Sequence, residues 1–119
     1  MLQDHITSAE HHRRFVDRVR ANREVWGLKS VDGWAICDSN GDDPDVQVMP
    51  FWSDRAYAKR AARDGWADYL PTAIPLNVFV DGWLKAMNAD GILVGTNWDA
   101  HDAGLELEPV ALARELTEG

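Results

Sequence analysis

Residues 25–37 run Val25-Trp26-Gly27-Leu28-Lys29-Ser30-Val31-Asp32-Gly33-Trp34-Ala35-Ile36-Cys37, and the fold turns on how they are read. Asp32-Gly33 stands between two apolar, aromatic-containing runs. That dipeptide favours the type I′ turn, whose positive φ angles match the twist of two antiparallel strands. The stretch therefore predicts a β-hairpin. Its alternation is untidy, with apolar residues on both faces, which predicts strands covered on both sides.

After the hairpin, Asp38-Ser39-Asn40-Gly41-Asp42-Asp43-Pro44-Asp45 reads as a polar turn, with Asn40-Gly41 suited to positive φ. Val46-Gln47-Val48-Met49 then supplies a third strand of the meander, ended by Pro50. On the other side, Thr7 and Glu10 fit a capping box. They predict a helix over residues 8–23 that buries Phe15, Val16 and Val19 and exposes a series of arginines.

Further along, Phe51-Trp52 leads into Ser53, the expected N-cap of a helix over residues 54–63 that Gly65 stops. Residues 66–76 read as an irregular apolar connection. Leu76, Phe79, Val80, Trp83, Leu84 and Met87 then share one stripe, which predicts a helix over residues 77–88. Gly82 inside it is unfavourable by about 1 kcal/mol relative to Ala, which predicts a close neighbour there. Gly91 ends this helix, Ile92–Thr96 is an apolar and central strand, and Leu105 and Leu107 alternate with glutamates in another. Pro109 opens a last helix with Leu112, Ala113 and Leu116 inward. The expected order is α-β-β-β-α-α-β-β-α. It makes an α+β fold in one domain over residues 1–119, with an antiparallel sheet of four or five strands and helices packed on it.

Charge and composition exclude several functions. The 119 residues carry a formal net charge of −8. Residues 1–60 hold nine basic and ten acidic side chains, whereas residues 61–119 hold three and ten. An acidic half repels phosphate backbones and anionic lipid, so neither nucleic acid nor membrane is an expected partner. A single cysteine, Cys37, excludes an internal disulfide and fits a reducing compartment. No signal-peptide pattern and no apolar run of membrane-spanning length occur, so a cytoplasmic protein is expected.

Catalytic and metal motifs fail at particular residues. Counted as an EF-type loop from Asp38, the polar turn puts Asp43 where glycine belongs and Met49 where the bidentate glutamate belongs, so calcium is not expected. His11-His12 point about 100° apart on a helix, and no HxH, HExxH or CxxC spacing is present, so no metal is assigned. Cys37 lies in an apolar strand where a thiol is inert, and no serine has a nucleophile-elbow context. Gly91 to Gly95 lacks the spacing of a phosphate loop. No catalytic residue and no cofactor are expected.

Six tryptophans are the compositional anomaly. Trp26, Trp34 and Trp83 have strand or helix-core explanations. Trp52, Trp66 and Trp98 fall beside turns, where aromatics either plug a core or form a binding surface. Together with Asp68, Tyr69, Asn97 and Asp99 they make the candidate binding residues.

These aromatic stretches carry a resemblance. Val25-Trp26-Gly27-Leu28 with Gly33-Trp34-Ala35, Pro50-Phe51-Trp52-Ser53, Trp66-x-x-Tyr69-x-Pro71, Ile74-Pro75-Leu76, Phe79-x-x-x-Trp83-Leu84 and Asp90-Gly91-Ile92-Leu93-Val94-Gly95-x-Asn97-Trp98 follow in order. The series resembles DUF2750, a family of small bacterial proteins whose name records an unknown function, and it brings no catalytic residues with it. Pro50-Phe51-Trp52-Ser53 ahead of a helix is also similar to a stretch in SseB-like domains, small α+β modules linked with secretion systems and protein interaction.

The expected function is a non-catalytic protein-interaction module, in its more specific form an immunity-type or accessory protein whose acidic half binds a basic partner. The alternative is a small enzyme or ligand-binding protein with an aromatic pocket near Trp52, Trp66, Tyr69, Asn97 and Trp98. Asp68, Asp99 and His101 are then its acid–base candidates. A third is a self-associating structural protein; the sequence sets no oligomeric state.

Overall fold

The computed structural model describes residues 2–39, 41, 43, 45–99 and 104–117. The hairpin is present: β1 (Glu24–Ser30) pairs antiparallel with β2 (Gly33–Trp34), Lys29 opposite Trp34 and Ser30 opposite Gly33. Its two-residue loop is therefore Val31-Asp32, one position earlier than expected. Gly33 opens β2 at φ 130°, a backbone conformation that suits glycine. Ser30 Oγ accepts the Asp32 N–H at 3.1 Å, a side-chain bond two residues back that stabilises such turns.

The return strand stops after Trp34 because another segment takes the β1 edge. Ala35 still donates its N–H to the Leu28 carbonyl at 2.9 Å, but Trp26 exchanges both backbone bonds with Trp52, at 2.8 and 2.7 Å. The chain turns away into β3 (Cys37–Asp38), which pairs antiparallel with β4 (Gln47–Phe51). Two sheets result among the described residues, in place of the expected single antiparallel one. The first has the order β2-β1-β5 and the second β3-β4-β6-β7, where β5 is Leu70–Pro75, β6 is Leu93–Thr96 and β7 is Leu105–Leu107. β4 and β6 run parallel, and the Trp26–Trp52 bridge joins the two sheets.

β5 lies inside the segment expected to be irregular. It pairs antiparallel with β1 over six residues, Glu24 opposite Pro75 through Lys29 opposite Leu70. Pro71 and Pro75 lack the N–H that a central strand needs, and an edge strand tolerates that loss.

Four helices cover the sheets among the described residues. α1 (Leu2–Asn22) is already helical at Thr7, so the expected cap lies inside it; Arg23 closes it at φ 62°, with its N–H on the Val19 carbonyl. α2 (Arg55–Ala61) has Asp54 rather than Ser53 at its N-cap position, without a side-chain capping bond, and ends before Gly65, which lies inside a 3-10 turn over Asp64–Trp66. α3 spans residues 76–90, α-helical over Leu76–Val78 and Lys85–Asp90 and π-helical over Phe79–Leu84. Gly82 lies in the π turn with open space where a Cβ would sit, so the close neighbour expected there is absent. Gly91, at φ 70°, closes α3, and α4 is Pro109–Thr117.

Packing divides at the sheets. Phe15 and Val19 of α1, Val25, Phe51, Ile74, Phe79, Leu84, Met87, Val94, Leu112 and Leu116 form the larger core. Its centre is aromatic: Phe51 meets Phe79 and Trp83 edge-on, with ring centroids 4.9 and 5.8 Å apart. Successive β1 residues point to opposite faces, so Val25 serves this core while Leu28 enters a smaller one with Ala35, Trp52, Ala58 and Ala61. Trp26, Tyr57, Trp66 and Tyr69 partly cover that second core. No described helix is long and apolar enough to cross a membrane.

Candidate functional site

The segment after β6 turns at Asn97, which holds a left-handed φ of 47°. Asparagine tolerates that region because its short side chain bonds locally. Here the side chain does more. Asn97 Oδ1 accepts the Ser53 N–H at 2.8 Å, and Nδ2 donates to Ser53 Oγ at 3.0 Å and to the His11 carbonyl at 3.3 Å. The Asn97 N–H goes to the Phe51 carbonyl at 2.9 Å. One buried residue thus fastens the end of β4 to α1.

The fastening continues outward. Ser53 Oγ donates to Asp54 Oδ1 at 2.6 Å, and Arg18 grips the same carboxylate with two bonds, Nε at 2.7 Å and Nη2 at 2.6 Å. The Arg18 fork is the main cause holding the Asp54 carboxyl below its ordinary value of 3.8; partial burial works against it, and Ser53 and the charge of Arg14 add to the lowering. α1 and α2 are therefore tied at the start of α2.

Beyond this tie lies a cleft of about 320 Å³, lined by His11, Arg14, Tyr57, Arg60, Ala61, Asn97, Trp98 and Asp99. His11, Arg14 and Arg18 recur at i, i+3 and i+7, and so share one face of α1. Tyr57, Arg60 and Ala61 share a face of α2 in the same way. The Arg60 guanidinium stands over the Tyr57 ring, 5.3 Å from its centroid. No ion pair to Arg14 or Arg60 forms among the described residues.

Trp98 supplies the wall behind Asn97. Its indole is 3% exposed and wedged between glycines: a Cβ on Gly95 or Gly104 would come within 2.5 and 2.4 Å of the ring. Its Nε1 donates to the Leu105 carbonyl at 3.0 Å, and its own carbonyl accepts the Trp52 indole N–H at 3.0 Å.

Of the expected binding residues, Asn97, Trp98 and Asp99 meet at this cleft. Trp52 lies beneath it, fully buried. Trp66 packs edge-on to Trp52 at 6.4 Å, and with Tyr69 it partly covers the second core; Asp68 is exposed nearby in sequence. His101 lies outside the described residues, as do Asn40 and Asp102. Sequence reasoning missed His11, Arg14, Tyr57 and Arg60. The signal that could have found them is two helical faces, His11-Arg14-Arg18 and Tyr57-Arg60-Ala61, each carrying cations beside groups able to donate hydrogen bonds.

A second polar chain runs behind the floor. His12 Nε2 sits 3.0 Å from both Glu115 carboxylate oxygens, and Nδ1 sits 2.8 Å from Thr96 Oγ1. The imidazole is thus held between a carboxylate on Nε2 and a hydroxyl on Nδ1. The carboxylate–imidazole–hydroxyl order matches that of nucleophilic hydrolases. Thr96 is 0% exposed, however, so no substrate reaches its oxygen, and the chain acts as a clip between α4, α1 and β6. Among the described residues no three His, Cys, Asp or Glu side chains are placed to hold a metal ion. Cys37 is half-buried in β3.

A family model described as "Protein of unknown function (DUF2750)" matches residues 12–116, nearly the whole chain. No curated protein and no solved structure matches.

Proposed function

The chain belongs to the DUF2750 family, and for this member we propose a binding function: the cleft between α1 and α2 takes up a small anionic ligand. The observation that carries it is the pair Arg14 and Arg60, both lining one cleft and neither in an ion pair with a described carboxylate. A guanidinium presents five N–H donors in a planar fork that suits carboxylate and phosphate. Two such forks on a protein of net charge −8 make a local cationic spot in an acidic surface. Clefts with charge of one sign concentrate ligands of the other.

Size supports the same reading. A cleft of about 320 Å³ sits at the low end of the small-molecule range of roughly 300–1,000 Å³. Its floor is held before any ligand arrives, because Asn97 and Asp54 are fixed by the bonds described above, and a prepared site loses less entropy on binding. The interaction module expected first from the sequence, with a basic protein as partner, rests on the charge of residues 61–119; the groups around this cleft favour an acidic ligand instead and so the ligand-binding alternative.

Backbone amide NMR tests the proposal. Titration with sodium benzoate and with sodium phosphate, against benzamide as the neutral control at fixed ionic strength, should shift resonances of residues 11, 14, 57, 60, 61, 98 and 99. Shifts scattered over other surfaces, or equal shifts with benzamide, would overturn it.

A further inference from the structure

We infer that the anion this cleft selects is a phosphate monoester carried on a flat apolar body of about one ring system; the inference rests on the anionic-ligand reading above. Cations outnumber carboxylates in the lining: the bidentate fork of Arg18 takes Asp54, while Arg14 and Arg60 line the cleft together with Asp99, and neither arginine is in an ion pair with a described carboxylate. A carboxylate has one negative charge and is satisfied by one fork. A phosphate monoester carries about −1.5 to −2 near neutral pH and offers three strong acceptor oxygens.

Donor supply agrees. Besides the two guanidiniums, the Tyr57 hydroxyl and the His11 ring line the cleft and form no hydrogen bond within the protein among the described residues. The Asn97 side chain is not part of this supply, since its amide hydrogens are committed to Ser53 and His11. Four donor groups on two helices suit the three terminal oxygens of a phosphate, which accept more hydrogen bonds than the two oxygens of a carboxylate.

The apolar body follows from the rest of the lining. The half-buried Tyr57 ring is the main carbon surface of the lining, with the edges of Ala61 and Trp98, each 3% exposed, behind it, and the Arg60 guanidinium stands 5.3 Å from the Tyr57 ring centroid. At about 320 Å³ the cleft has room for more than an inorganic phosphate.

Isothermal titration of the full chain with three probes tests this: phenyl phosphate, inorganic phosphate and sodium benzoate, at fixed ionic strength and pH 7.5. Phenyl phosphate should bind tightest, with benzoate and inorganic phosphate each at least about tenfold weaker, the cost of one charge-assisted contact or of the lost ring. Arg14→Gln and Arg60→Gln should each weaken phenyl phosphate by about tenfold or more, with Arg60→Lys intermediate because it keeps the charge and loses the fork. Benzoate binding as tightly as phenyl phosphate would overturn the phosphate assignment and leave the anion cleft standing. Inorganic phosphate binding as tightly as the ester would overturn the ring body. Phenyl phosphate binding unchanged by both glutamine variants together, or not binding at all, would overturn the cleft reading itself.

Discussion

Asn97, on the floor of the cleft, spends every polar atom of its side chain on bonds inside the protein, whereas Arg14 and Arg60, on its walls, make no hydrogen bond to any described residue. The two regions lie side by side in one cleft and obey different rules. Buried polar groups must be satisfied or they destabilise the fold. Exposed cations satisfy themselves with water and remain available. The floor should therefore control stability and the walls affinity, and each substitution below tries to break that division.

The floor's deepest member gives the largest expected effect. Trp52 is fully buried, bridges the two sheets through its backbone and donates its indole N–H to Trp98. Trp52→Ala should cost about 3–5 kcal/mol by loss of burial and the cavity left behind. Urea denaturation checks it; a loss under about 1 kcal/mol would mean that the second core does not hold the floor.

Next comes Asn97→Ala, expected to cost about 2–4 kcal/mol. The buried Ser53 N–H loses its acceptor, at about 1–3 kcal/mol, and alanine at φ 47° adds backbone strain of about 1 kcal/mol. Asn97→Gly separates the two, because glycine relieves the strain and not the lost bonds. If glycine restored full stability by thermal melting, the hydrogen bonds of Asn97 would be shown to carry no weight.

These two residues also mark how far the sequence can be read. Trp52 and Asn97 stand beside turns and are visible as candidates, and the stripe of α3 and the Asp-Gly hairpin are legible as elements. Local patterns do not say which edge a strand will find. The pairing of Trp26 with Trp52 diverts the hairpin's return strand, and β4 pairs parallel with β6 across more than forty residues of chain. β5 was hidden for another reason: Pro71 and Pro75 are punctuation in sequence but acceptable at a sheet edge. The cations of the walls were hidden because Arg14 and Arg60 look like any solvated helix face until the two helices are placed opposite each other.

The tie between floor and wall gives a smaller, pH-dependent effect. Asp54 has its carboxyl lowered below 3.8 in the folded chain, chiefly by the Arg18 fork. In the unfolded chain the carboxyl returns to the ordinary value, so the unfolded state binds a proton first as pH falls. The stabilisation is thus complete above about pH 4 and is lost as pH drops through the lower folded value. Since Arg18 is exposed, solvent screens the pair and its contribution is small. Asp54→Asn should flatten that part of an acid denaturation curve and leave stability at pH 7 reduced by a similarly small amount. An unchanged acid limb would place the pH sensitivity elsewhere.

The walls give the smallest stability effect, and it is the sharpest test of the contrast. Arg14→Gln and Arg60→Gln remove a cation without removing any hydrogen bond or ion pair that the fold uses among the described residues. What the fold loses is the Arg60 contact over Tyr57, which at an exposed site is worth about 0.5–1 kcal/mol, and the distant pull of Arg14 on Asp54. What it gains is relief from holding Arg14 and Arg60 on two facing helices of one cleft. The two contributions oppose, so each variant should melt within about 0.5 kcal/mol of the parent, and the double variant should be close to the sum, apart from any coupling across the cleft. A destabilisation above about 2 kcal/mol in either would show that the arginine is part of the scaffold rather than of a binding surface, and the division between floor and walls would fail at that residue.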